Sequence, residues 1–222
     1  YISDGKNISV SSPRGTLSLE YMENGATVCY TSYYNWFMNN NSIYQPLSSA
    51  KVNSLLSTLS GTTWDECVAY NATGSALDQY GLDNANATYI SVDYGTGESV
   101  QSYGIKLGRY EGSQCYAQPE DSTMVYLIDA QRADALMLAD YTSLRPDDVF
   151  PVDWSMVTAL DLVWEGTGHH IAIETESITA EDGTISAQKS YIYDGRALDR
   201  DKVSGLLTAL TNLTASGLAE SA

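Results

Sequence analysis

His169 and His170 are the only histidines in the chain, and the run that follows them, Ile-Ala-Ile-Glu-Thr, reads as a strand. Neighbours on a strand point to opposite faces, so the two rings cannot chelate one metal ion as a helical i, i+4 pair would. His170 shares its face with Ala172 and Glu174, which leaves a His170 and Glu174 site to set against a plain solvated strand face. Ser48-Ser49-Ala50-Lys51 and Ser186-Ala187-Gln188-Lys189 match Ser-x-x-Lys, the spacing at which a lysine activates a serine nucleophile. The companion Lys-Thr-Gly is absent, and Ser48 stands where a helix N-cap belongs. The second match lies in strand-like sequence with no helix to present it. Asp147, Asp148, Asp153, Glu174, Glu176, Glu181 and Asp182 offer carboxylates for glycoside hydrolysis, which needs two of them roughly 5 to 10 Å apart. With 28 Asp and Glu in 222 residues, such clusters are also what a solvated acidic surface gives. No Asp-x-Asp-x-Asp-Gly calcium loop occurs, and Gly95-Thr96-Gly97 and Gly166-Thr167-Gly168 lack the lysine and helix of a phosphate cradle. Neither a cofactor nor a metal is expected.

The segment from Tyr30 to Asn41 gathers five aromatic residues ahead of an Asn run. Rings rimmed by amides suit carbohydrate and peptide contact, where rings stack and amides hydrogen-bond. Tyr33, Tyr34 and Trp36 are the candidate ligand contacts. The other reading makes alternate rings cross-strand core and the Asn run a loop.

Eleven Lys and Arg against 28 acids give a formal charge of −17, which excludes nucleic acid and disfavours an anionic membrane surface. The hydrophobic fraction of 43% is too high for a disordered acidic tail. No apolar run reaches the roughly 18 residues of a membrane helix, so direct membrane insertion of this segment is not expected. The chain starts at Tyr1 without a charged n-region or apolar h-region, which predicts a targeting segment already removed. Cys29, Cys67 and Cys115 are odd in number and lack CxxC spacing. They allow at most one bridge and read as buried free thiols, with a Cys29 to Cys67 pairing left open.

The elements that must position these residues repeat along the chain. Leu47-Ser48, Ile128-Asp129 and Leu198-Asp199 each place an apolar residue before a capping residue. Val52, Ala133 and Val203 follow four residues after the cap, and Leu55-Leu56, Leu136-Met137 and Leu206-Leu207 come at matching offsets. The cap satisfies first-turn amides, the residue before it staples onto the fourth helical position, and the i, i+3, i+4 spacing supplies a packing face. Ile43-Tyr44, Val125-Tyr126 and Ile192-Tyr193 precede these helices as strands. Further upstream, Leu17-x-Leu19-x-Tyr21, Ile90-x-Val92-x-Tyr94 and Leu160-x-Leu162-x-Trp164 alternate into turns at Asn24-Gly25, Gly95-Thr96-Gly97 and Gly166-Thr167-Gly168. The reading is an α+β fold of three tandem repeats of about 70 residues, mostly antiparallel strands each followed by one packing helix. The units are 1–73, 74–150 and 151–222.

Between the first two units, Leu77-Asp78-Gln79-Tyr80-Gly81-Leu82-Asp83-Asn84 predicts a short helix whose left-handed end falls on Gly81, with Leu82 folding back on Leu77. Together with Lys106-Leu107-Gly108 and Val125-Tyr126-Leu127-Ile128, this run resembles a bacterial envelope family, domain-of-unknown-function family 4340, from about residue 15 to residue 216. Where the family commonly has Pro after the Asp-Asn pair, this chain has Ala85. The resemblance implies an extracytoplasmic location behind a membrane anchor or lipoprotein signal in the precursor, and it brings no catalytic residues. The expected function is a binding or scaffolding module whose partner is an envelope protein or a glycan. The rival is a carboxylate-dependent hydrolase of glycan or peptide.

Overall fold

Asn41-Ser42, Glu165-Gly166 and Asp194-Gly195 each hold two consecutive residues at positive φ. That is the backbone of the primed two-residue turn, whose twist matches that of paired strands. The Asn run is therefore a tight hairpin, with Asn40 opposite Ile43. Turns of this kind fold the chain into antiparallel strands in two units. One comprises Tyr1–Val28 and Ser32–Pro146, the other Cys29–Thr31 and Asp147–Ala222. The computed structural model describes residues 4–23, 29–96 and 99–216. The expected turn at Asn24-Gly25 and the Gly97 end of the second turn lie outside the described residues.

In the larger unit, β1 (Gly5–Ser12), β2 (Gly15–Tyr21), β3 (Trp36–Asn40) and β4 (Ile43–Pro46) form one meander. A second comprises β6 (Thr88–Tyr94), β7 (Gln101–Glu111), β8 (Gln114–Pro119) and β9 (Val125–Asp129). The two join along β1 and β6, with Ile8 opposite Val92 and Val10 opposite Ile90. β5 (Glu66–Ala69) closes the far edge, giving a nine-stranded sheet in the order β4-β3-β2-β1-β6-β7-β8-β9-β5. The smaller unit holds a four-stranded sheet of β10 (Ala159–Trp164), β11 (Thr167–Thr179), β12 (Ile185–Tyr193) and β13 (Arg196–Ala197), in chain order. The fold is α+β and mostly antiparallel. The position between residues 73 and 74 falls in the connection from β5 to β6, two strands of one sheet, and the break between the units is at Pro146 and Asp147.

Each meander runs into a helix: α1 (Ser49–Ser60), α2 (Ala130–Met137) and α4 (Arg200–Thr211), with the short α3 (Tyr141–Leu144) after α2. The Ser48 hydroxyl accepts from Lys51 N, Asp129 from Gln131 N and Arg132 N, and Asp199 from Lys202 N. Leu47 with Val52 and Ile128 with Ala133 are buried in one core, and Leu198 with Val203 pack in the core of the smaller unit. The larger core lies between one face of the nine-stranded sheet, carrying Ile8, Leu19, Ile90, Val92, Ile105 and Leu107, and the apolar faces of α1 and α2.

Two strand assignments shift. Leu17-x-Leu19-x-Tyr21 forms β2, the second strand of its meander, whereas the runs at Ile90 and Leu160 form the first strands β6 and β10. Ile192-Tyr193 lies in β12, and the two-residue β13 intervenes before the helix. β1 offers only Ile8 and Val10 among serines, and two residues are too few for any periodicity to show.

Candidate functional site

The aromatic segment does not stay together. Tyr30 belongs to the smaller unit through its bridge to Val152. Trp36, on the inward face of β3, is 3% exposed and meets Tyr21 edge-on at 5.5 Å. Tyr34 is 8% exposed, while Tyr33 presents 80% of its surface. Of the three expected contacts, Tyr33 alone offers its ring to a partner.

The histidines point to opposite faces as their strand requires. The His170 Nδ1 lies 2.7 Å from Asp161 Oδ1, and His169 Nδ1 lies 2.8 Å from the Tyr193 hydroxyl. His170 thus takes the residue opposite it on β10 and not Glu174 on its own strand. The two-residue turn at Glu165-Gly166 fixes that register, so the turn was the signal for this pairing. Lys51 Nζ donates to the Arg145 carbonyl, and Lys189 Nζ to the Trp154 carbonyl, so both Ser-x-x-Lys lysines make structural contacts. Ser186 and Lys189 sit three residues apart on β12 and face opposite ways. Asp153 caps a turn at Ser155 and Asp182 one at Thr184; the hydrogen bonds received there hold both carboxyls below the usual range. Among the described residues, no group of three or more His, Cys, Asp or Glu is placed to hold a metal. The three cysteines are free thiols; Cys29 is exposed, and burial pushes the Cys115 thiol up to about 11.

The Tyr-Gly-Leu element is built as its sequence requires. Gly81 ends the 3-10 helix Gly74–Tyr80 at φ 68, and Leu82 N donates to Leu77 O at 3.1 Å. Leu82 is fully buried with Ala72, Tyr116, Val125 and Leu127 on the sheet face opposite the helices. A Cβ on Gly81 would come within 2.9 Å of Arg109 N, and one on Gly108 within 2.2 Å of Tyr80 O. The two glycines let the helix end settle on the β7–β8 irregularity between Leu107 and Tyr110, and Arg109 Nε secures it by donating to Gln79 O. Ala85 N donates to Asp83 Oδ1 at 2.9 Å, a bond that a proline there could not make.

This docked segment walls one end of a cleft. The sheet face opposite the helices carries two cross-strand ladders. Thr16, Ser11, Tyr89, Lys106 and Gln118 are successive register partners from β2 to β8. Ser18, Ser9, Ser91 and Gly104 form the next ladder, which Glu120 extends through its N–H to Gly104 O. Small side chains leave this face low, and Tyr89, Lys106 and Glu120 rise from it. Gly104 makes room: a Cβ there would lie 2.5 Å from both the Tyr89 hydroxyl and a Glu120 carboxylate oxygen. The two groups converge over Gly104, and burial together with the neighbouring carboxylate pushes the Tyr89 phenol up to about 12. Buried Gln118 is spent on the Ala72 carbonyl. The cleft measures about 450 Å³ and is lined by Ser11, Ser12, Asn84, Tyr89, Lys106 and Glu120 together with the apolar Pro13 and Ala87. Lys106, half-buried, lines it with no hydrogen-bond or ion-pair partner among the described residues.

A family model described as Domain of unknown function (DUF4340) matches residues 36–222. The chain belongs to this family. No curated protein and no solved structure matches it. The match begins at Trp36, so the β1–β2 hairpin precedes it, whereas the helix end at Gly81, the docking glycine Gly108 and the cleft residues Asn84, Tyr89, Lys106 and Glu120 all fall inside it. No helix among the described residues is long and apolar enough to cross a membrane. Sequence reasoning passed over Tyr89 and Glu120 because neither belongs to a recognisable motif; register across β6, β7 and β8 is what brings them to Lys106.

Proposed function

We propose that this member of the family is an extracytoplasmic, non-catalytic module of the bacterial envelope that holds an envelope component in the cleft over β6 and β7. The chain is three diverged copies of a four-stranded meander with one capped helix, two of which share a sheet. Lys106 carries the reading. Lys106 is a half-buried cation with no hydrogen-bond or ion-pair partner among the described residues, and it lines the cleft beside the Glu120 carboxylate. A bound anionic group would give this cation a partner, and such charge-assisted hydrogen bonds are about twice as strong as neutral ones. The hydrolase reading fares less well, because Glu120 is the sole carboxylate lining this cleft and glycoside hydrolysis requires a pair. Tyr33, whose ring is exposed, is a secondary contact.

Co-sedimentation with an isolated envelope fraction tests the proposal. The wild-type chain should be retained, and the Lys106→Gln/Glu120→Gln double variant should lose at least about tenfold in retention, the worth of one charge-assisted contact. Equal retention of the two would overturn it.

A further inference from the structure

The cleft holds one positive and one negative group that do not meet each other. Lys106 and Glu120 occupy neighbouring ladders, on diagonal positions that set Cα atoms about 7 to 8 Å apart. They are not within ion-pair distance, although both belong to one open face. Two features keep them apart. Tyr89 stands between Lys106 and Ser11 in its ladder, and the Glu120 carboxylate lies over Gly104 on the side of the Tyr89 hydroxyl. Gln118, the other neighbour of Lys106, is turned to Ala72 and accepts nothing from the ammonium. Space is thus left between a cation that can only donate and a carboxylate with lone pairs to spare.

A ligand carrying a carboxylate alone would satisfy Lys106 and be repelled by Glu120, and a bare amine would meet the reverse. A ligand bearing both charges close together satisfies both. We infer that the cleft takes the zwitterion of an α-amino acid, its carboxylate on Lys106 and its ammonium on Glu120. The group is either a free amino acid or one displayed on a tether by an envelope polymer. The volume of about 450 Å³ exceeds what a small amino acid fills, which favours the tethered form, with Ser11, Ser12 and Asn84 available to hydrogen-bond the tether. This inference rests on the cleft being the binding site.

Backbone-amide NMR titration of the whole chain tests it with defined probes. Alanine supplies the free zwitterion, Nε-acetyllysine the same group on a tether, N-acetylalanine lacks the ammonium and alaninamide lacks the carboxylate. Alanine and Nε-acetyllysine should give saturable shifts at residues 89, 104, 106 and 120, with Nε-acetyllysine the tighter if the natural source is tethered. N-acetylalanine and alaninamide should each bind at least tenfold more weakly. Lys106→Gln should abolish the shifts and Lys106→Arg should restore them, which separates loss of charge from loss of fold. Equal binding of N-acetylalanine or alaninamide, or no saturable shift with either zwitterion, overturns the inference. If the probes fail while Lys106→Gln/Glu120→Gln still loses retention on the envelope fraction, the ligand class is wrong and the cleft stands. If both fail, the cleft falls with it.

Discussion

Trp36 and Tyr33 sit three residues apart in one aromatic run, yet one is core and the other surface. Truncating a buried Trp removes packing against Tyr21 and the helix face, at a cost of about 3 to 5 kcal/mol. Trp36→Ala should therefore lower the denaturant midpoint steeply, whereas Tyr33→Ala should stay within about 0.5 kcal/mol of wild type. A large loss at Tyr33, or none at Trp36, would reverse the assignment. Sequence left both readings of this run open, because period-two alternation says which rings share a face and not which face is covered. Tyr89 gives a second check. Its phenol is raised from the ordinary 10 to about 12 by burial and by Glu120, so the neutral form is favoured in the folded chain. The stabilisation is therefore complete below pH 10 and is lost as pH rises through about 12. Ring-carbon NMR should show Tyr89 titrating near 12, and Glu120→Gln should bring the midpoint down toward 10. A wild-type midpoint at 10 would mean that neither burial nor Glu120 acts on the phenol.

Among the elements, helix ends were the most legible. Ser48, Asp129 and Asp199 cap helices where their sequence pattern places them, and Gly81 ends its helix in the left-handed conformation. Caps are local: the acceptor and the amides it serves lie within three residues. Strand partnership is not local, which is why β1 and β13 have no sequence signature and why only the register shows that His170, on an exposed strand face, pairs with Asp161. The docking of the Gly74–Tyr80 helix end on β7 depends on two glycines 27 residues apart, and only the register of the sheet shows why both are needed. Gly108→Ala would drive a methyl into the Tyr80 carbonyl, and an overpacked contact of this kind costs about 1 to 3 kcal/mol. Thermal unfolding should show that loss, and the helix end and the Asn84 wall of the cleft should loosen together in amide exchange. A neutral Gly108→Ala would mean that the approach of the two segments is not tight.

At the level of the whole molecule, the charge of −17 excludes partners more readily than it names one. Asp129 and Asp199 were legible as helix caps, and most of the other carboxylates only as a surface, of which Asp153 and Asp182 prove to cap turns. The charge on which the proposed function rests is a cation, placed where β6, β7 and β8 meet on a low serine-paved face. That convergence had no sequence signature beyond Lys106-Leu107-Gly108, since Tyr89 and Glu120 are ordinary residues in ordinary strands. The central claim is that the cleft, through Lys106, holds the chain on its envelope component. Retention on the envelope fraction, measured side by side for wild type, Lys106→Arg and Lys106→Gln, addresses it most directly. Wild type and Lys106→Arg should be retained alike and Lys106→Gln should fall at least about tenfold; equal retention of all three would contradict the claim.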